Sequence, residues 1–309
     1  MDFALIQTAL ELGLICGLTV LALFLSYSML NVCDLSTDGC FTLGAAVGAV
    51  VAISGHPYLS IPAAMGAGVC SGFVTALLQT RMGINSLLAG IIVNTGLYSI
   101  NIWVMGGKSL LNMNQTETVF TKAQAFLENT PLAGEQSLVV AAVAAILVVL
   151  FMTAFLNTRL GLAIRATGNN PDMVRSSSIN PVFTTTVGLC VANAFTGLSG
   201  CLLGQMQKSV NIDIGSGMVT IALASLLIGS TFLGRGGILI QAIGMVLGSF
   251  VFRLVYTIAL RFDMPAYMLK LVSSVIIILA IAGPYLKGQW PMLRRRLTYR
   301  SQGAGKGDQ

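Results

Sequence analysis

The sequence predicts an all-α integral membrane protein, and three observations carry that prediction. Of the 309 residues, 55% are hydrophobic and only 9% are charged; the mean hydropathy is +0.83. A soluble domain carries about 25% charged residues, so too few charges remain here to cover a water-facing surface. The apolar residues also gather in long segments, and runs such as Ser137–Leu156 are apolar on every face. A membrane β-barrel would instead show apolar and polar residues in alternation.

A helix needs about 20 apolar residues to cross the hydrocarbon core. Nine segments are candidates: 4–30, 41–55, 60–80, 84–104, 136–156, 183–205, 218–234, 237–258 and 266–286. The chain start has no basic leader and carries Asp2 and Glu11, which argues against a cleaved signal peptide. Segment 41–55 is short for a crossing, and "NVCDLSTDGC" (Asn31–Cys40) before it mixes two carboxylates with Gly and Ser. A fainter version, "NIDIGSG" (Asn211–Gly217), precedes 218–234. Broken helices in inverted repeats are one reading of this pair; two ordinary polar turns are the other.

Segment 84–104 carries Ser86, Gly90, Asn94, Tyr98 and Asn101 at spacings of three or four, a polar stripe on one helical face. In 183–205, Cys190, Asn193, Gly197, Gly200 and Gly204 repeat it, with Thr196 and Gln205 alongside. A shorter alignment in 237–258 joins Gln241, Gly248 and Arg253, whereas 136–156 has no such face. A polar stripe in lipid faces other helices or water, so these residues either bond helices together or line a path. The glycine pairs Gly13/Gly17, Gly44/Gly48, Gly68/Gly72, Gly200/Gly204 and Gly244/Gly248 have the spacing of closely packed membrane helices. Three charges, Glu11, Arg253 and Lys270, fall inside segments. Snorkelling accounts for the two cations; pairing with Glu11 is the alternative.

The net charge of +6 lies in loops and in the tail "RRRLTYR" (Arg294–Arg300), without the basic face and interleaved aromatics of nucleic-acid binding. Placing the loop at Arg81, the stretch 157–182, Arg235 and the tail together leaves Lys108, Lys122, Lys208 and Arg261 opposite. The richer side is then cytoplasmic, with the N-terminus outside and the C-terminus inside. This division predicts one membrane domain over 1–290, an external loop at 105–135 and a basic cytoplasmic tail, 291–309. It also puts Asn31–Cys40 inside and Asn211–Gly217 outside.

No catalytic constellation is present. His56 is the single histidine, and the six cysteines sit in or beside apolar segments without metal-ligand spacing. "GGKS" (Gly106–Ser109) lacks the first glycine of a phosphate-binding loop, since position 102 is Ile. The chain is therefore expected to bind no metal, cofactor or nucleotide of its own.

The most informative polar stretch is "RLGLAIRATGNNPDMVRSSSINP", Arg159–Pro181. Asn170 can cap a helix that starts at Pro171 with Asp172 in its first turn. Asp172 and Arg175 are spaced to pair across one turn, and Ile179-Asn180-Pro181 ends the helix. About two turns are not stable alone in water, so this helix needs the membrane surface or another protein.

With "ANAFTGLSGCLLGQMQ", "GMVTIALASLLIGSTFLGRGG" and "GMVLGSFVFRLV", that stretch resembles the permeases of ABC importers in the branched-chain amino acid, ribose and nucleoside class. "DLSTDGCFTLGAAVGAVV" and "GINSLLAGIIVNTGLYSINIWVMGGKSLLN" are most similar to the bacterial tryptophan/tyrosine transport permeases of that class. The resemblance implies a multi-pass subunit of the bacterial inner membrane. Its partners would be a second permease copy, ATPase subunits that hold Mg-ATP, an extracytoplasmic binding lipoprotein and lipid. It implies a coupling helix at Pro171–Ser178 seated in an ATPase groove, with Arg165, Gly168, Asn169, Asn170, Asp172 and Arg175 around it. It also implies that Asp34 and Asp38 lie near a broken helix by the translocation path, which the stripe residues Asn94, Tyr98, Asn101, Asn193, Thr196 and Gln205 would extend. The expected solute is an amino acid, with a sugar, nucleoside or vitamin as alternatives. An ion-coupled carrier and a purely structural membrane protein are the rival classes.

Overall fold

The computed structural model describes residues 3–127, 135–234, 236–261, 271 and 274–278. Helix α1 (Phe3–Leu23) runs on through a π-helical turn, Phe24–Met29. The chain then leaves helical geometry, with Asn31 at φ 55°. After this break come α2 (Thr37–Ile53), α3 (Ser60–Thr80) and α4 (Ser86–Val104). The next section holds β1 (Leu110–Asn112), α5 (Val119–Leu127), α6 (Gln136–Asn157), α7 (Arg159–Asn169) and α8 (Pro171–Ser176). The last comprises α9 (Pro181–Gln207), β2 (Ser209–Asn211), α10 (Met218–Leu233) and α11 (Ile238–Arg261).

Eight of the nine expected segments are apolar helices. Six are long enough to cross a membrane, while α2 and α10 are shorter. The ninth, 266–286, lies mostly outside the described residues, as do Arg235, Lys270 and the tail 291–309. Helix starts follow local chemistry. Asn85 accepts from the Leu87 amide at 3.0 Å to open α4, and Asn180 accepts from the Val182 amide at 3.0 Å ahead of Pro181 in α9.

Two regions expected as loops hold more structure. In 157–182 the short helix is preceded by α7, capped by Thr158, whose hydroxyl accepts from the Gly161 amide at 3.2 Å. Ile164 is fully buried there, and Leu160 packs against the core from the same face; an amphipathic turn hides easily among charged neighbours. In 105–135, β1 pairs antiparallel with β2, Leu110 opposite Asn211. This two-stranded ribbon is the only sheet among the described residues.

Most of α9 is buried, against α2, α3 and α1. Backbones meet there because side chains are missing. A Cβ on Gly44 would collide with the Gly197 backbone, and one on Gly197 would sit 2.6 Å from the Ala64 carbonyl oxygen. Hydroxyls add glue: Ser199 donates to the Ile15 carbonyl at 2.7 Å, and Ser249 of α11 to the Gly13 carbonyl at 2.8 Å. Small residues and internal bonds are what hold helices together where lipid gives no hydrophobic drive.

The bundle has two chemically different ends. Thr80 of α3 and Arg81 just after it line one cavity with Asn180, the cap of α9, and Phe183 of α9, and α7 and α8 adjoin this end. At the other end lie the ribbon, Lys208, and α5, where Lys122 pairs with Glu117. That contact pushes the Lys122 ammonium pKa up.

Gly197→Val should open the α3–α9 seam and lower stability by at least about 2 kcal/mol. Gly66→Ala, where no atom stands within 4 Å of the new methyl, should be neutral or stabilising. Thermal unfolding of both variants in detergent checks this.

Candidate functional site

The break between α1 and α2 is held by a buried carboxylate. Asp34 is 1% exposed. Its Oδ1 accepts from the amide and hydroxyl of Ser36 at 2.8 and 2.6 Å, and its Oδ2 accepts from Asn193 Nδ2 at 2.8 Å. Thr75 of α3 extends the network, donating to the Ser36 hydroxyl at 3.2 Å. Asn193 stands near the middle of the 27-residue α9, so Asp34 lies deep in the bundle. A buried charge is tolerated when its lone pairs are occupied in this way.

Asp38 begins a second junction. Its carboxylate accepts from the backbone amides of Gly217 and Val219 at 3.0 and 2.7 Å, across the N-terminus of α10. The Thr42 hydroxyl accepts from the Gly215 amide at 3.2 Å. The two Asp-Gly turns, expected on opposite sides of the membrane, are therefore hydrogen-bonded to each other. Counting whole crossings misplaced them. Helices α2 and α10 start inside the bundle, and their N-termini converge where a carboxylate offsets the positive helix end.

Beside this junction is a polar cavity of about 440 Å³. Asp38 and Thr42 from α2, Asn94, Tyr98 and Asn101 from α4, and Asp213 before α10 are among its lining residues. Asn101 donates through Nδ2 to the Gly39 carbonyl at 3.2 Å, and its Oδ1 is buried without a partner. Three of the five α4 stripe residues, Asn94, Tyr98 and Asn101, thus line the cavity. Thr95, Ser99, Asp213 and Ser216 also line it and were missed from sequence. Thr95 and Ser99 flank the stripe, and Asp213 belongs to the noted turn, so the signal was present.

The other expected path residues are elsewhere. Asp34 and Asn193 bond each other. Thr196 is buried and donates back to the Ala192 carbonyl at 3.2 Å. Gln205 ties three elements, donating to Ser60 at 2.6 Å and accepting from the Val119 amide at 2.9 Å. On α9 the stripe holds helices together, because its small and polar residues face α2 and α3. Glu11 and Arg253 do not pair. Glu11 accepts from Gln7 at 3.4 Å, while Arg253 donates to the Cys16 sulfur at 2.9 Å and sits 5.7 Å from the Tyr256 ring centroid.

At the Arg81 end, Asn170 Oδ1 accepts from the amides of Asp172 and Met173 at 3.1 and 3.0 Å, starting α8 at Pro171. Asp172 and Arg175 are 3.9 Å apart with side chains 89% and 68% exposed. The helix stops at Ser176 rather than Ser178, because Ser178 takes a left-handed φ of 61°. Val174 is buried and anchors α8, leaving Asp172, Met173 and Arg175 outward. Gly168 at the end of α7 meets the backbone of Met29 and Leu30, just before the break that leads to Asp34. The Thr167 and Thr184 hydroxyls, 2.8 Å apart, tie α7 to α9. Arg165 is half-buried on α7, and Asn169 is exposed.

A multi-pass helical bundle with a polar cavity beside broken helices is the build of a membrane permease. The family model for the permease component of branched-chain amino acid transport systems matches residues 5–281, and the chain belongs to that family. It is 29% identical to a tyrosine transport system permease of Clostridioides difficile over 272 residues, covering 87% of this chain and 88% of the relative. With the nucleoside ABC transporter permease of Lactococcus lactis it shares 29% over 170 residues, 50% of this chain and 47% of that one. With the ribose import permease of Escherichia coli it shares 24% over 258 residues, 80% and 75%. No solved structure matches. The chain is an ABC-type permease component of the inner membrane, in a family whose members carry amino acids, nucleosides or ribose.

Asn193→Leu should leave Asp34 Oδ2 unpartnered and destabilise the protein by about 3 kcal/mol or more. Adding Asp34→Asn, which removes the buried charge, should recover part of that loss in detergent unfolding.

Proposed function

We propose that the chain is the transmembrane subunit of an ABC importer for an amino acid, driven by ATP hydrolysis in a separate subunit. The observation that supports this most is the convergence of Asp38, Asn94, Tyr98 and Asn101 on one polar cavity, beside the N-termini of two short helices. The cavity is part of the solute path, and similarity to the tyrosine permease makes an aromatic amino acid the first solute to test. Similarity to nucleoside and ribose permeases keeps those solutes as the second reading.

The Arg81 end, with Arg159, Arg165 and Arg175, is the cytoplasmic one by its arginines; the ribbon end receives solute from an extracytoplasmic binding protein. The N-terminus is then outside and the C-terminus inside, and the permease works as a homodimer in lipid. The chain itself holds no cofactor, and Mg-ATP belongs to the ATPase. Helix α8 docks on that ATPase. Its displacement reaches the cavity through α7, the Gly168 contact on Met29–Leu30 and the Asp34 break. Nucleotide states that seat α8 differently bias the permease between outward and inward access.

Replacing Asp172 and Arg175 together by alanine should release the ATPase on co-purification and stop uptake, while the permease still inserts. Normal association and uptake would make α8 a membrane-surface helix. Ser99→Trp, which fills the cavity, should cut L-tyrosine uptake by at least about tenfold with the ATPase still bound. Normal uptake in that variant would remove the cavity from the path.

A further inference from the structure

The cavity between α2, α4 and the turn before α10 has an uneven inventory of polar groups. Asp38 and Asp213 bring two carboxylates to it, and among the described residues no Lys, Arg or His lines it. Asp38 is partly offset by the α10 amides, whereas Asp213 is exposed at the rim. Two of the hydroxyl protons are already committed: Thr42 donates to the Asp38 carbonyl at 3.2 Å and Thr95 to the Ile91 carbonyl at 2.9 Å.

Asn101 decides what is missing. Its Nδ2 donates to the Gly39 carbonyl at 3.2 Å, and the reverse amide orientation would set two oxygens face to face. The unpartnered atom is therefore the acceptor Oδ1, in a residue 1% exposed. A buried acceptor without a donor is costly, and a donor brought by a ligand would remove that cost. The exposed ring of Tyr98 adds an aromatic face beside the carboxylates, which favours a cation as well.

On the reading that this cavity belongs to the solute path, we infer that it binds the ammonium group of the solute, with Asn101 Oδ1, Asp213 and the Asp38 carboxylate as its acceptors. No cationic side chain of the cavity answers a carboxylate, so a solute's acid group points away from it. The site accepts primary amines with or without a carboxylate. It disfavours deaminated acids, which meet two like charges, and sugars, which bring no charge to compensate them.

The test uses the full chain in lipid nanodiscs and measures binding of L-tyrosine, tyramine, 3-(4-hydroxyphenyl)propionate and D-ribose. L-tyrosine and tyramine should bind within about threefold of each other, with the acid and the sugar at least about tenfold weaker. Asp213→Asn and Asn101→Leu should each weaken both amines by about tenfold. Asp213→Asn changes an exposed side chain, so it carries the test even where Asn101→Leu does not fold. Equal binding of the deaminated acid and L-tyrosine overturns the inference. So does an absence of tyramine binding, or amine affinity unchanged in Asp213→Asn. Failure of the path reading looks different: Ser99→Trp would then transport normally, whereas a failed ammonium site leaves Ser99→Trp blocked.

Discussion

Between α9 and its neighbours α2 and α3 the backbones touch, because glycine stands wherever a side chain would separate them. Gly44 and Gly68 face the α9 backbone at Gly197 and Asn193, and Gly200 of α9 faces Phe41 of α2. In lipid no hydrophobic force draws helices together, so this fit and the bonds across it set the arrangement. The break and the cavity depend on that seam. It fixes the depth of Asn193, which fixes Asp34 and with it the break between α1 and α2. Helix α2 then begins inside the bundle, and Asp38 on its first turn reaches the start of α10.

Two short helices meeting inside a membrane expose amides and carbonyls that water would otherwise solvate. The protein satisfies them with side chains: Ser36 and Asn193 for Asp34, Asp38 for the first amides of α10, Thr42 for Gly215. Asn101 Oδ1 is among the buried side-chain atoms without a partner, and Asn101 is the one residue of that group that lines the cavity. At the Arg81 end, α7 carries the short, capped α8 and touches the chain just before the Asp34 break. Helix α8 and the cavity are joined through α7, the Gly168 contact on Met29 and Leu30, and the Asp34 network.

Much of this was legible in the sequence, for reasons that differ by element. Apolar run length identified the long helices, since hydrocarbon thickness sets that length directly. The start of α8 was legible because Asn170, Pro171 and Asp172 act on adjacent backbone groups. The α4 stripe located three cavity residues, because a single helix face needs only its own periodicity. The α9 stripe obeyed the same periodicity yet faces α2 and α3, and nothing local separates helix glue from a path. The meeting of Asp38 with Gly217 and Val219 spans about 180 residues and needed three dimensions. So did the correction to the two turns, because counting spans assumes that each crosses fully. Helix α7 escaped notice for a third reason: its apolar face is narrow and shares its turns with arginines.

We propose that this bundle moves solute through conformational change powered by a separate subunit. Proteoliposomes holding the permease, its ATPase and its binding protein test it most directly, through uptake of L-tyrosine with and without ATP. Uptake should require hydrolysable ATP and persist when Na⁺ and proton gradients are collapsed. Uptake by the permease alone, driven by an imposed ion gradient without ATP, would contradict it.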